Sequence, residues 1–131
     1  MTTRIALAGD WHATTWWARD CINSLPDDVN LLVHLGDFGL MGPSRDDYVS
    51  AVNECAASRD LDVWVIPGNH EDYDWLEQQP ADHDGVAQIA ERVFVLPRGY
   101  RFVIERVVFC AVGGAVSIDQ GQRTMGTTWW P

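Results

Sequence analysis

Five residues of this 131-residue chain carry side chains whose types and spacing suit metal-assisted chemistry: Asp10, His12, Asp37, Asn69 and His70. Asp10 and His12 flank Trp11, so a turn of the backbone lets a carboxylate and an imidazole converge on one cation. Asp37 follows a glycine just as Asp10 does, and it is placed to share that cation and bridge to a second. Asn69 offers an amide oxygen to the second ion, and His70 next to it would sit beside a substrate. Mixed imidazole, carboxylate and amide ligands suit Mn, Fe or Zn rather than Cu(I) or an iron–sulfur cluster. Two such ions roughly 3.5–4 Å apart constitute a hydrolytic centre. Taken singly, each residue also has a plainer role. An Asp after Gly at a strand end is often a turn former or helix N-cap, His12 alone would be a surface or capping residue, and Asn69 after Gly68 suits a left-handed turn. Their joint appearance at three successive strand ends favours the chemical reading.

Those strand ends follow from the apolar runs before them. Arg4 to Ala8 ends at Gly9-Asp10, Asn30 to Leu35 ends at Gly36-Asp37, and Leu61 to Ile66 ends at Pro67-Gly68-Asn69-His70. Short continuous apolar runs of this kind read as buried parallel strands. Between the first two lies a helical pattern with Trp17, Cys21 and Leu25 on one face and Ala18 and Ile22 beside them. Between the second and third, Ser44-Arg45-Asp46-Asp47 resembles a capping box, and Tyr48, Val49, Val52, Cys55 and Ala56 follow at helical spacing. This is a βαβαβ unit, whose ligands would bind outside the carboxyl ends of its strands. Further on, Asp72 to Gln79 suits a short acidic helix and Pro80 to Gly85 a loop. Val93 to Leu96 is expected to extend the sheet, as is a hairpin of Tyr100 to Ile104 with Val107 to Val112. From Gly113-Gly114 onward the chain reads as loop.

Composition narrows the function classes. The hydrophobic fraction of 47% and the charged fraction of 21% are those of one soluble globular domain. A formal charge of −10 disfavours a nucleic-acid partner and an anionic membrane surface. Cys21, Cys55 and Cys110 are odd in number and far apart, so a reducing cytoplasm is expected rather than a disulfide framework. No apolar run approaches a membrane span, and neither export nor membrane anchoring is expected. Bulky aromatics at Trp129-Trp130-Pro131 suggest a domain cut short at its C-terminal side, since free ends are usually polar.

Gly9-Asp10-x-His12, Gly36-Asp37 and Gly68-Asn69-His70-Glu71, in that order, resemble the first three blocks of the calcineurin-like metallophosphoesterase superfamily. Gly113-Gly114-Ala115-x-Ser117-x-Asp119, Arg123 and Trp129-Trp130-Pro131 are similar to a stretch of its small bacterial and phage-type members. The resemblance implies an α/β fold, the parallel-strand βαβαβ half of a metallophosphoesterase sandwich followed by a β-hairpin region. It also implies hydrolysis of phosphomonoesters or phosphodiesters by a metal-bridging hydroxide. Asp10 and His12 would bind the first metal, Asp37 both, and Asn69 the second, while His70 would contact the phosphoryl group and assist the leaving group, oriented by Glu71 or Asp72. The family pattern continues with further histidines after the Gly-Gly-Ala region, and this sequence ends before them. The expectation is therefore two divalent ions (Mn, Fe or Zn), or one only in this chain. The alternative is a truncated, non-catalytic metal-binding or interaction remnant.

The remaining candidates are assigned structural roles. His34, inside an apolar strand, is expected in the core, and His83 in a solvated loop; Trp11, Trp16, Trp17, Trp64 and Trp75 are expected in packing, and the three cysteines as buried thiols. Arg98 and Arg123 are candidates to touch a phosphate. A receiver domain is set aside because the chain has no Lys, a haloacid-dehalogenase-type site because Asp10-x-His12 stands where Asp-x-Asp would, and a dinucleotide fold because Gly-x-Gly-x-x-Gly is absent.

Overall fold

The computed structural model describes residues 3–130. Its first half is the expected alternation: β1 (Arg4–Ala8), α1 (Thr15–Asn23), β2 (Val29–His34), α2 (Arg45–Ala57) and β3 (Asp62–Val65). Then follow a single helical turn, α3 (Tyr73–Leu76), and strands β4 (Ala87–Ala90), β5 (Val93–Val95), β6 (Arg101–Ile104) and β7 (Val107–Cys110). The main sheet has the order β1-β2-β3-β5-β4, with the first four parallel and β4 antiparallel on the edge. Register explains why the chemistry gathers at one side. Ala8 pairs with His34 and His34 with Val65, so the corners after all three strands emerge together.

One face of this sheet carries the core. Val63 and Val65 point there with Leu32, and α1 and α2 close over them through Ala18, Ile22, Tyr48, Val52, Cys55 and Ala56. Each large aliphatic side chain fully buried in this way stabilises the fold by about 1.5–3 kcal/mol. The α2 face is the one expected from the spacing. The α1 face is rotated: Ala18 and Ile22 are its fully buried residues, Cys21 and Leu25 pack at the margin, and Trp17 lies outside, half-exposed beside the more exposed Trp16.

Strand alternation puts Trp64, between Val63 and Val65, on the opposite face. There Phe102 of β6 meets it edge-on at 5.1 Å and stacks on Phe109 of β7 at the same distance. The β6–β7 hairpin thus forms a second, two-stranded sheet over the first rather than extending it, a correction to the sequence reading. On this second face Val33 of β2 is buried, whereas Leu7 of β1 and Leu35 just after β2 are exposed.

Three more details differ from expectation. Ser44 makes no side-chain capping bond; the acidic Asp46 and Asp47 in the first turn of α2 complement its dipole instead. Ala87–Ala90 lacks a β-branched or aromatic run, so nothing in it announced the edge strand it forms against β5. The three cysteines are unpaired, as expected, but only Cys55 is buried; Cys21 is intermediate and Cys110 exposed. No helix among the described residues is long and apolar enough to cross a membrane.

Candidate metal centre

Beyond the sheet edge, the segments after β1 and β2 stay zipped together. Asp10 N–H donates to the Gly36 carbonyl (3.0 Å), His12 N–H to that of Asp37 (2.8 Å) and Ala13 N–H to that of Phe38 (3.1 Å). Holding this course forces Asp10, His12, Ala13 and Asp37 to positive φ, between 47° and 57°. That conformation costs an L-residue about 1–2 kcal/mol, least for Asp and Asn. Strain of this kind at four neighbouring residues marks a site that the surrounding structure over-determines. Two glycines make it possible. A Cβ on Gly39 (φ 120°) would lie 2.2 Å from the Ala13 nitrogen, and one on Gly68 would lie 2.2 Å from Asp37 Oδ1.

The strained turns bring three donors together. His12 Nε2 is 3.4 Å from Asp10 Oδ1 and 3.9 Å from Asp37 Oδ2, and one ligand atom from each residue lies within 4.8 Å of the others. Ligands at ~2.1 Å around a tetrahedral cation are themselves ~3.4 Å apart, so a small contraction would seat a borderline divalent ion. The donor set therefore fits a metal. Asp37 is the inner ligand candidate, its side chain 14% exposed, and Asp10, 81% exposed, is the outer one.

Glu71 holds the corners in place. It is fully buried, and its two carboxylate oxygens accept from the backbone N–H groups of Asp37 (3.1 Å), Gly39 (3.0 Å) and Gly68. Burial pushes its carboxyl up, the Gly39 and Gly68 amides pull it back down, and the nearby Asp37 charge raises it again. One side chain thus ties the corner after β2 to the corner after β3. Sequence reading assigned Glu71 or Asp72 to orienting His70, and neither does so. Asp72 caps α3 through Trp75 N–H (3.0 Å), and the His70 ring instead meets the Thr128 carbonyl at 2.9 Å through Nδ1.

His70 N–H donates to Asp37 Oδ1 (3.1 Å), and its ring lies 6.1 Å from that of His12, so it borders the three-donor group. A carbonyl can only accept, so His70 Nδ1 carries a proton and Nε2 is left for another partner. Asn69 is buried with Nδ2 donating to Ser117 Oγ, which leaves Oδ1 as the atom for any ligand role. The sequence reading missed Ser117 and Thr128 as contacts because both sit in the loop-like segment after Gly113, where nothing signals a distant partner.

Of the other candidates, His34 is fully buried in the core between Trp11 (4.7 Å) and Phe38 (5.0 Å), and neither ring nitrogen finds a hydrogen-bond partner among the described residues. Burial first and the His12 charge second lower its pKa to about 3, so it is a neutral packing group. His83 is exposed beside Asp84. Arg98 and Arg123 part company. Arg98 lines a cleft of about 650 Å³ with Tyr73, Leu96 and Trp130, whereas Arg123 lines a cavity of about 210 Å³ with His12, Ala13, Gly39, Met41 and His70.

A sequence profile described as calcineurin-like phosphoesterase matches residues 3–128, a span that takes in every residue of the three-donor group. Neither a curated protein nor a solved structure matches the chain.

Proposed function

Because the chain belongs to the calcineurin-like phosphoesterase family, we propose that it hydrolyses phosphomonoesters or phosphodiesters. In this reading Asp10, His12 and Asp37 hold a divalent cation, Asn69 Oδ1 contributes to a second that Asp37 bridges, and His70 acts on the leaving group. The observation that carries the reading is the convergence of Asp10, His12 and Asp37 donor atoms within 4.8 Å, at strand ends bordered by His70. A divalent ion bound there supplies Lewis-acid polarisation of the phosphoryl group and a water acidified toward neutral pH.

The chain's own residues do the rest. Asp37, its backbone N–H tied to Glu71 and its Oδ1 accepting from the His70 N–H, would hold its carboxylate in place as a metal ligand. His70, with Nδ1–H held by the Thr128 carbonyl, presents Nε2 to the departing oxygen. In the imidazolium form both nitrogens donate, so Nε2–H passes its proton to the leaving group while Nδ1–H stays on Thr128. The partly buried Asp37 carboxylate and the strained turns supply preorganisation, so little rearrangement is needed when charge develops on the phosphoryl oxygens.

The test is metal content after Mn²⁺ loading, measured by plasma mass spectrometry, together with hydrolysis of p-nitrophenyl phosphate and bis(p-nitrophenyl) phosphate. Bound metal and turnover that Asp37→Asn abolishes, with His70→Ala sparing metal content and lowering turnover, are the expected results. Metal content untouched by Asp37→Asn would remove Asp37 from its bridging role. A non-catalytic cation-binding module is the competing reading, favoured by a single observation: among the described residues one group of three such donors forms. Uptake of one ion without hydrolysis of either ester would select it.

A further inference from the structure

The segment after Gly113 has one 3-10 turn (Gln120–Gln122) and otherwise no regular structure, yet it is laid along the β3–α3 corner. Gly114 N–H donates to the Pro67 carbonyl (2.9 Å) and Trp130 N–H to that of Asn69 (3.1 Å), Ser117 Oγ accepts from Asn69, and the Thr128 carbonyl accepts from His70. Between Ser117 and Thr128 this course delivers Arg123 to the wall of the cavity that His12 and His70 also line. At about 210 Å³ the cavity holds roughly seven times the ~30 Å³ share of a water molecule, room for a phosphoryl group.

Arg123 is engaged on one side only. Its Nε–H donates to Asp119 Oδ2 at 2.5 Å, four residues earlier in the chain, and among the described residues neither Nη1 nor Nη2 makes a hydrogen bond. An arginine tethered through Nε keeps its planar Nη fork directed away from the tether, and that fork matches two oxygens of a phosphate. A solvated i,i+4 pair on a helix face would have no such surroundings: here Arg123 lines the same cavity as both site histidines in a chain of net charge −10, where an anion needs a fixed cation.

We propose that Arg123 is a substrate-binding residue whose Nη fork takes two oxygens of the phosphoryl group, with Asp119 as the positioning residue, and that the site thereby selects phosphomonoesters. The proposal rests on the phosphoesterase reading above and deepens it. A monoester keeps three non-bridging oxygens, two for the fork and one for the Asp10, His12 and Asp37 side of the site. A diester keeps only two and cannot satisfy both.

The experiment is titration of the metal-free chain with inorganic phosphate by calorimetry, paired with relative kcat/KM for p-nitrophenyl phosphate and its bis-ester on the Mn²⁺-loaded chain. Arg123→Ala should weaken phosphate binding about 10–100-fold, the range for losing charge-assisted hydrogen bonds. Arg123→Lys should recover less than half of that factor, because an ammonium has charge without the fork, and thermal melts should show both variants folded. Arg98→Ala, in the separate cleft, should leave phosphate binding unchanged. Wild-type affinity in Arg123→Ala, equal losses in Arg98→Ala, or no saturable phosphate binding to the wild-type chain would overturn the Arg123 assignment. A preference for the bis-ester would overturn the monoester selectivity. A chain that binds phosphate through Arg123 yet hydrolyses neither ester would sink the catalytic reading and the monoester selectivity with it, and leave Arg123 as a phosphate-binding residue only.

Discussion

The corners after β1, β2 and β3 and the segment from Gly113 to Trp130 meet at the same site but are built on opposite terms. The corners are welded by backbone hydrogen bonds, four residues at positive φ and a buried carboxylate that takes three amides. The later segment has almost no regular structure and is held by isolated hydrogen bonds to Pro67, Asn69 and His70. The difference separates two tasks. Metal ligands need positions fixed within a fraction of an ångström, which justifies stored strain. Groups that meet a substrate need presentation at moderate cost, and loops on a rigid scaffold supply it.

If that contrast is right, damage to the corners should cost far more than damage to the later segment. The largest effect is expected for Glu71→Ala, which leaves three backbone N–H groups, two of them buried, without their acceptor. Urea denaturation should show a loss of about 3–5 kcal/mol, accompanied by loss of metal uptake. A loss below about 1 kcal/mol would mean that the corners hold themselves without Glu71. Gly68→Ala comes next, since the new Cβ meets Asp37 Oδ1 at 2.2 Å and the Asp37 nitrogen at 2.4 Å. Displacing Asp37 should destabilise by about 2–3 kcal/mol, in line with overpacking at a rigid site, and weaken Mn²⁺ uptake at least tenfold. Unaltered uptake would show that Asp37 does not need its observed place.

Beneath the corners, His34 offers a test by pH. The folded ring is held to a pKa of about 3 against an ordinary value near 6.5. Because the unfolded chain binds the extra proton between those values, this group makes stability rise with pH through the window and costs nothing further above it. His34→Leu should remove that slope, gaining about 2 kcal/mol at pH 5 relative to its effect at pH 7.5, as read from paired denaturation curves. Parallel pH profiles for the two proteins would contradict a neutral, buried His34. Smallest of all should be Ser117→Ala in the later segment. Losing one hydrogen bond to Asn69 should cost about 1 kcal/mol and leave Mn²⁺ content as it was. A cost rivalling that of Glu71→Ala would erase the contrast.

Much of the fold can be read from local pattern. The runs ending at Gly9-Asp10, Gly36-Asp37 and Gly68-Asn69 announce buried strands because apolar continuity followed by glycine has few other uses, and the spacing of Tyr48, Val52, Cys55 and Ala56 announces α2 and its inner face. The same pattern nominates Asp10, His12, Asp37 and His70, which the fold then brings to one place. It fails where the deciding partner is remote. Nothing in Ala-Gln-Ile-Ala shows that it will pair with Val93–Val95, nothing in Phe102 shows that it will cover Trp64 from a separate sheet, and nothing in α1 shows that Ala18 rather than Trp17 will turn inward.

Side-chain commitments divide in the same way. Residue type established that Glu71, Asn69 and Arg123 can bind something, because donors and acceptors are properties of the residue itself. Only the tertiary structure decided that Glu71 serves three backbone amides, that Thr128 rather than an acid orients His70, and that Arg123 rather than Arg98 borders the site. The first two of those choices depend on which group from a distant part of the chain arrives within about 3 Å, and the third on which loop the closing of the fold lays beside His12 and His70; neighbours in sequence settle none of them.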